Sequence, residues 1–66
     1  MSMPSDAAEL SSLRAQLEDL TQRVVVVGDT YRESDDSAIT GELDQAERAL
    51  HAARRSVDRA IDLLQA

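Results

Sequence analysis

Apolar residues recur every three or four positions along most of this 66-residue chain, in two separate runs. The first run consists of Leu10, Leu13, Leu17, Leu20, Val24, Val27 and Tyr31. The second run consists of Ile39, Leu43, Ala46, Leu50, Ala53, Val57, Ala60 and Leu64. Spacings that alternate between three and four form the a/d seam of a coiled coil. The sequence therefore predicts two α-helices, each with one apolar seam.

The two seams are out of phase, because Ile39 comes eight positions after Tyr31, one more than a heptad repeat. The segment between them contains Ser-Asp-Asp-Ser at 34–37, residue types that favour turns and helix caps because their side chains hydrogen-bond to nearby backbone. We therefore expect helices over about 6–33 and 38–65, joined by a turn over about 34–37. Ser5 and Asp6 suit a helix N-terminus, and residues 1–4 are expected to be frayed. The predicted fold is all-α, a two-helix antiparallel coiled-coil hairpin.

Gly28 leaves two boundaries open for the first helix. It could cap the helix, which would leave a loop of about ten residues, or the helix could continue to about Glu33 at a cost of roughly 1 kcal/mol relative to alanine. Tyr31 keeps the heptad phase beyond Gly28. Continuation also gives two arms of similar length, so we favour it.

A chain of this length without cysteine has neither disulfides nor a thiolate metal site to support a small core. Two helices share only one contact line, so each seam stays half exposed. Further apolar residues widen the stripe and are candidates for an oligomer or partner interface: Val25, Val26, Ala49, Ala52, Ile61 and Leu63. We expect two hairpins to pair into a four-helix bundle as a homodimer, with another protein as the alternative partner.

Composition excludes several other functions. A net charge of −6 and a single aromatic residue argue against a nucleic-acid partner. His51, the one histidine, follows Glu47 by one helical turn, but metal sites in helical bundles need more ligands than these two. We read them as a solvated pair and expect no cofactor, no metal and no catalysis. A metal-binding or small-ligand bundle is conceivable only if oligomerisation gathers several copies of these two residues.

Targeting and membrane signals are also absent from the pattern. Residues 1–9 carry neither a cation nor an apolar stretch, and the longest apolar run spans only residues 24–27. These features favour a cytoplasmic protein that does not enter a membrane. All seven cations are arginine and ten residues are alanine, a bias typical of high-GC bacterial genomes.

One short motif suggests a different location. Tyr31-Arg32-Glu33-Ser34-Asp35 resembles the Tyr-x-x-x-Asp/Glu motif of substrates of actinobacterial type VII secretion, which are helical hairpins that pair into four-helix bundles. This chain is shorter than those substrates, has no Trp-x-Gly in its turn, and carries the tyrosine before the turn. The resemblance implies a secreted helical hairpin.

The function that these patterns favour is a small, non-catalytic protein–protein interaction module, serving as an adaptor, a regulator or an assembly subunit. The alternative is an antitoxin-like or anti-factor-like binder of another protein. Charge offers a docking signal for either function, because acidic residues cluster around the predicted turn and arginines cluster between Arg48 and Arg59. Such charges are equally typical of the solvated face of a soluble helix.

Overall fold

The computed structural model describes residues 5–66, so the expected fraying of residues 1–4 lies outside the described residues. Two helices account for nearly all of this segment: α1 spans Asp6–Arg32 and α2 spans Ser37–Gln65. They pack against each other in an antiparallel hairpin that measures 55 × 20 × 11 Å. The predicted all-α two-helix fold is confirmed.

Each helix begins at a side-chain cap. The amide of Ala8 donates a hydrogen bond of 3.1 Å to Ser5 Oγ at the start of α1, and Asp6 and Glu9 place acids in the first turn. The amide of Ile39 donates a hydrogen bond of 3.2 Å to Asp36 Oδ1 at the start of α2. Both caps satisfy amides that the helix itself leaves without partners.

The turn over residues 33–36 is held by short-range hydrogen bonds. Ser34 Oγ donates to the carbonyl of Tyr31 at 2.6 Å and accepts from the amide of Asp36 at 3.2 Å. Thr40 Oγ1 lies 3.3 Å from the same Tyr31 carbonyl, so α2 is tied to the end of α1. Serine and aspartate therefore end one helix and start the next through their own side chains, as their composition predicted. We call residues 33–36 the tip and the opposite end of the hairpin the open end.

Gly28 does not end α1. The helix continues through it to Arg32, which settles the alternative boundaries in favour of continuation. Gly28 is buried against α2, where a Cβ atom would lie 3.4 Å from Glu47 Oε2 and 3.9 Å from Leu43 Cβ. Gly28 therefore lies in the contact between the two helices near the tip.

The contact between the helices is displaced from the predicted seam. Each helix carries three parallel stripes with a spacing of seven residues. The central stripes are Leu10, Leu17, Val24 and Tyr31 on α1 and Leu43, Leu50, Val57 and Leu64 on α2. Next to them on one side are Arg14, Thr21 and Gly28 on α1 and Thr40, Glu47, Arg54 and Ile61 on α2. On the other side are Leu13, Leu20 and Val27 on α1 and Ile39, Ala46, Ala53 and Ala60 on α2.

The predicted seams combine the central stripes with the stripes that contain Leu20 on α1 and Ala46 on α2. The helices instead meet between the central stripes and the stripes that contain Thr21 on α1 and Glu47 on α2. Thr21 and Gly28 are the most buried residues of α1, whereas Leu13, Leu20 and Val27 stay 40%, 45% and 49% exposed. Small side chains at positions 21 and 28 permit this rotation, because they let the backbones approach on their side. Seven predicted seam residues therefore lie at the edge of the contact and not at its centre: Leu13, Leu20, Val27, Ile39, Ala46, Ala53 and Ala60.

No hydrophobic side chain within residues 5–66 is fully buried. Most of the central stripes are half-buried, since each helix shields them from one direction only. In this segment neither helix is long and apolar enough to cross a membrane.

Candidate interaction surface

The two broad faces of the hairpin differ in chemistry. One face, which we call the polar face, carries ion pairs that join α1 to α2. Arg14 pairs with Asp58, and Arg54 Nη1 donates to Glu18 Oε1 at 3.1 Å. These side chains remain partly exposed, and exposed ion pairs contribute at most about 1 kcal/mol each. Their clearest effect is to fix the register of the two helices.

A second ion cluster on the polar face lies near the tip. Arg32 donates to Asp29 at 2.8 Å, to Asp44 at 2.9 Å and to Glu47 at 3.2 Å. The hydrogen bond to Asp44 and its charge raise the pKa of Arg32 above its ordinary value. Like any arginine it is protonated throughout the neutral range, and it offsets part of the acidic charge expected near the turn.

Glu47 and His51 have different surroundings from those expected. Glu47 pairs with Arg32 across the hairpin, whereas His51 lines a small open pocket together with Glu18, Thr21 and Arg54. The hydroxyl of Thr21 does not donate its hydrogen to this pocket, because it donates to the carbonyl of Leu17 at 2.7 Å. In the part of the chain that the structure describes, no group of three or more possible metal ligands comes together.

The opposite face is apolar. We define the apolar face by the two stripes that lie away from the ion pairs: Leu13, Leu20, Val27, Ile39, Ala46, Ala53 and Ala60. Leu20 and Val27 line a shallow groove with Val24 and Leu43, and Arg23 forms its edge. This groove places a continuous apolar strip across both helices, bordered by a charged side chain.

The six residues predicted to widen the interface do not form one surface. Ile61 is half-buried beside Arg14 and Asp58 on the polar face, and Val25 is half-buried. Val26 is 66% exposed on the back of α1, in a shallow depression with Asp19 and Gln22. Ala49, Ala52 and Leu63 are exposed on α2. By contrast, the exposed members of the predicted seam lie together on the apolar face, except for Leu64, which is 54% exposed at the end of the central stripe of α2.

The residues that sequence reasoning missed are Arg14, Thr21 and Gly28. Their signal was a spacing of seven residues, the same period as the leucines beside them. A search for apolar residues alone passes over it, because none of the three is a large hydrophobic side chain. Small or charged residues at a heptad interval can mark the line where two helices come closest.

Comparison with known proteins gives no relative for this chain: no family model, no curated protein and no solved structure matches it.

Proposed function

We propose that this chain is a non-catalytic helical interaction module, cytoplasmic and bacterial, which self-associates through the apolar face and acts as an adaptor, a regulator or an assembly subunit. The observation that carries the proposal is the distribution of exposed large hydrophobic residues. Of the seven large hydrophobic residues that are exposed within residues 5–66, four lie on the apolar face and are each between 37% and 49% exposed: Leu13, Leu20, Val27 and Ile39. The other three, Val26, Leu63 and Leu64, lie outside this face and do not form a second strip with one another. Contiguous apolar surface of this kind is typical of a site that binds another protein.

The lack of a buried core within residues 5–66 supports the same proposal. A single hairpin leaves its half-buried leucines and valines in contact with water on one side, so it gains only part of the ~1.5–3 kcal/mol that full burial of each would provide. A partner on the apolar face would remove both the central stripes and the neighbouring leucines from water. Packing of a second pair of helices is the standard way to complete such a core.

Sedimentation equilibrium over a hundredfold range of protein concentration tests the proposal. We expect a dimer or larger species that dissociates on dilution. Leu20→Glu should weaken association at least tenfold, because it places a charge in the middle of the apolar face. Val26→Glu is the matched control, since it adds the same charge to a more exposed residue on the back of the same helix.

Two results would count against self-association through this face. A well-folded monomer at every concentration would overturn the proposal. Equal loss of association in Leu20→Glu and Val26→Glu would show that the apolar face is not the contact surface.

A further inference from the structure

Building on the proposed function, we infer that two copies of this chain stack their apolar faces with both tips at the same end, so that the bulky side chains of α1 in one copy lie over the alanines of α2 in the other. Self-association through the apolar face does not by itself say which residues of the two copies meet. The shape of the face, and the heights of its residues along the hairpin, support this arrangement.

The apolar face consists of a ridge and a groove that run side by side. The ridge is the stripe of bulky side chains on α1: Leu13, Leu20 and Val27. The groove is the stripe of small side chains on α2: Ala46, Ala53 and Ala60, with Ile39 beyond them beside the tip. Each member of the ridge is at least 40% exposed, so its side chain is available to a groove on another molecule.

The broad face of the hairpin is large enough for a stable homodimer. It measures 55 × 20 Å, while a typical stable interface needs about 800 Å² from each partner. A second hairpin has the same length and width, so it covers the face from end to end. A single helix would cover only half its width.

Ridge and groove are in step along the hairpin. Arg14 and Asp58 form an ion pair across the two helices, so they lie near the same height. Leu13 is one residue from Arg14 toward the open end, and Ala60 is two residues from Asp58 in the same direction. At 1.5 Å per residue, Leu13 and Ala60 therefore lie within about 1.5 Å of the same height.

The same match recurs at two further levels, because both stripes repeat every seven residues. Leu20 is level with Ala53, and Val27 is level with Ala46. Every bulky side chain of the ridge thus has an alanine of the groove beside it at its own height.

A two-fold axis parallel to the hairpin uses this match. It lays α1 of one copy over α2 of the other, and it keeps every residue at its own height because a closed dimer permits no sliding along such an axis. Each ridge then lies over the groove of the other copy at three levels: Leu13 over Ala60, Leu20 over Ala53, and Val27 over Ala46. The register between the two copies is therefore set by the hairpin itself.

The other two-fold arrangement of stacked faces points the tips to opposite ends. It lays ridge on ridge and groove on groove, whatever the height of its axis. Helices that meet through leucines lie about 10 Å apart, and helices that meet through alanines lie about 8 Å apart. The two ridges would therefore hold the two grooves apart and leave gaps between the alanines, and such gaps lose the contacts that stabilise an interface.

Charges at the ends of the hairpin favour neither arrangement. The tip is acidic at Glu33, Asp35 and Asp36, and the open end is acidic at Asp6 and Glu9. Like charges therefore meet whether a tip lies beside a tip or beside an open end. The fit of large side chains to small ones decides between the two arrangements.

Mixed dimers of two size variants test the fit of ridge to groove. Leu20→Ala shortens the ridge and Ala53→Leu fills the groove at the same level, so each variant alone should dimerise about tenfold more weakly than the wild type. In the mixed dimer the added leucine of one chain lies over the shortened side chain of the other, and the second contact at this level is that of the wild type. Native mass spectrometry of an equimolar mixture should therefore show the mixed dimer in about tenfold excess over random mixing.

The matched control for this mixture is Leu20→Ala with Ala60→Leu. Ala60 is seven residues, about 10 Å, from the level of Leu20, so the added leucine does not meet the shortened side chain. This control should give close to random proportions of the three dimers. Random proportions in the mixture of Leu20→Ala with Ala53→Leu as well would overturn the inference, because a dimer with ridge on ridge gains nothing from mixing.

Distances between spin labels test the orientation without changing the apolar face. The chain has no cysteine, so Asp35→Cys at the tip and Gln65→Cys at the open end each provide one label per chain at an exposed position. Both variants should show less than about 30 Å between labels, since the stacked helices are about 10 Å apart and the labels add their own length. Tips at opposite ends would separate the labels by the length of a helix, roughly 40 Å for the 27 residues of α1. Electron paramagnetic resonance measures both ranges, and longer distances in either variant would overturn the inference.

The failure of each proposal has a different signature. A monomer in sedimentation overturns both the proposed self-association and this arrangement. A dimer with random mixing and long distances between labels retains self-association and overturns only the arrangement with both tips at the same end.

Discussion

Gly28 and Gly41 show how differently two glycines in long helices can be used. Gly28 lies in the contact between α1 and α2, where Glu47 and Leu43 surround the space that a side chain would fill. A Cβ atom at Gly41 would meet no atom within 4 Å. Glycine in a helix is less favourable than alanine by about 1 kcal/mol, and only at Gly28 would an added methyl group touch α2, next to the Glu47 carboxylate that bonds Arg32.

Replacing these glycines by alanine should separate the two effects. Gly41→Ala should raise the free energy of unfolding by about 0.5–1 kcal/mol, because the helix gains and no neighbour has to move. Gly28→Ala should gain less, since its Cβ would lie 3.4 Å from the Glu47 carboxylate that bonds Arg32. Urea denaturation at one fixed protein concentration measures both values. A larger gain for Gly28→Ala than for Gly41→Ala would mean that the close approach at Gly28 is not important.

At the scale of the helices, the sequence was most informative about extent. Heptad spacing and the Ser-Asp-Asp-Ser segment predicted helices over 6–33 and 38–65, and the structure has α1 over Asp6–Arg32 and α2 over Ser37–Gln65. These limits depend on local chemistry, namely the capping side chains and the periodicity of each helix. Local chemistry can be read from one sequence.

The sequence was less informative about which side of each apolar stripe meets the partner helix. Leu20 and Thr21 both adjoin the central stripe, and hydrophobicity alone favours Leu20 as the buried residue. The structure buries Thr21, whose hydroxyl is satisfied by the Leu17 carbonyl, and leaves Leu20 45% exposed. Ion pairs across the hairpin and the small residues at 21 and 28 decide the rotation. Both are relations between the two helices, which the periodicity of either helix does not contain.

The cap of α2 gives a test at this scale. Asp36 accepts a hydrogen bond from the amide of Ile39, and its loss should lower the free energy of unfolding by about 1 kcal/mol in Asp36→Ala. Asp35→Ala is the matched control, because it removes the same charge from the adjacent exposed residue. Thermal melting followed by circular dichroism compares the two. Equal shifts would indicate that charge near the turn matters and the cap does not.

At the scale of the whole molecule, the two faces of the hairpin have different roles in its structure. The polar face fixes how α1 and α2 are aligned through Arg14, Arg54 and Arg32. The apolar face holds hydrophobic area that the hairpin alone does not cover. Residues 5–66 contain no fully buried hydrophobic side chain, so the proposed association would add burial that one chain does not provide, and folding and association would then be coupled.

Coupling between folding and association can therefore be measured directly. Replacing Leu13, Leu20 and Val27 together by lysine should give a monomer that has lost much of its helical circular dichroism, because these changes remove the surface that a partner would cover. The wild-type chain should instead lose helicity on dilution, and its melting temperature should rise with concentration. A hundredfold change in concentration corresponds to about 2.7 kcal/mol of association free energy.

The matched control for this triple variant is lysine at Ser12, Ala15 and Val26, which adds the same charge to exposed positions on the back of α1. It should keep the helicity and the concentration dependence of the wild type. Lysine is tolerated well in helices, so a large loss of helicity in the triple variant would have to come from the lost burial and not from helix propensity. If the triple variant stayed as helical and as heat-stable as its control, the hairpin would be stable alone and the apolar face would not be needed for folding.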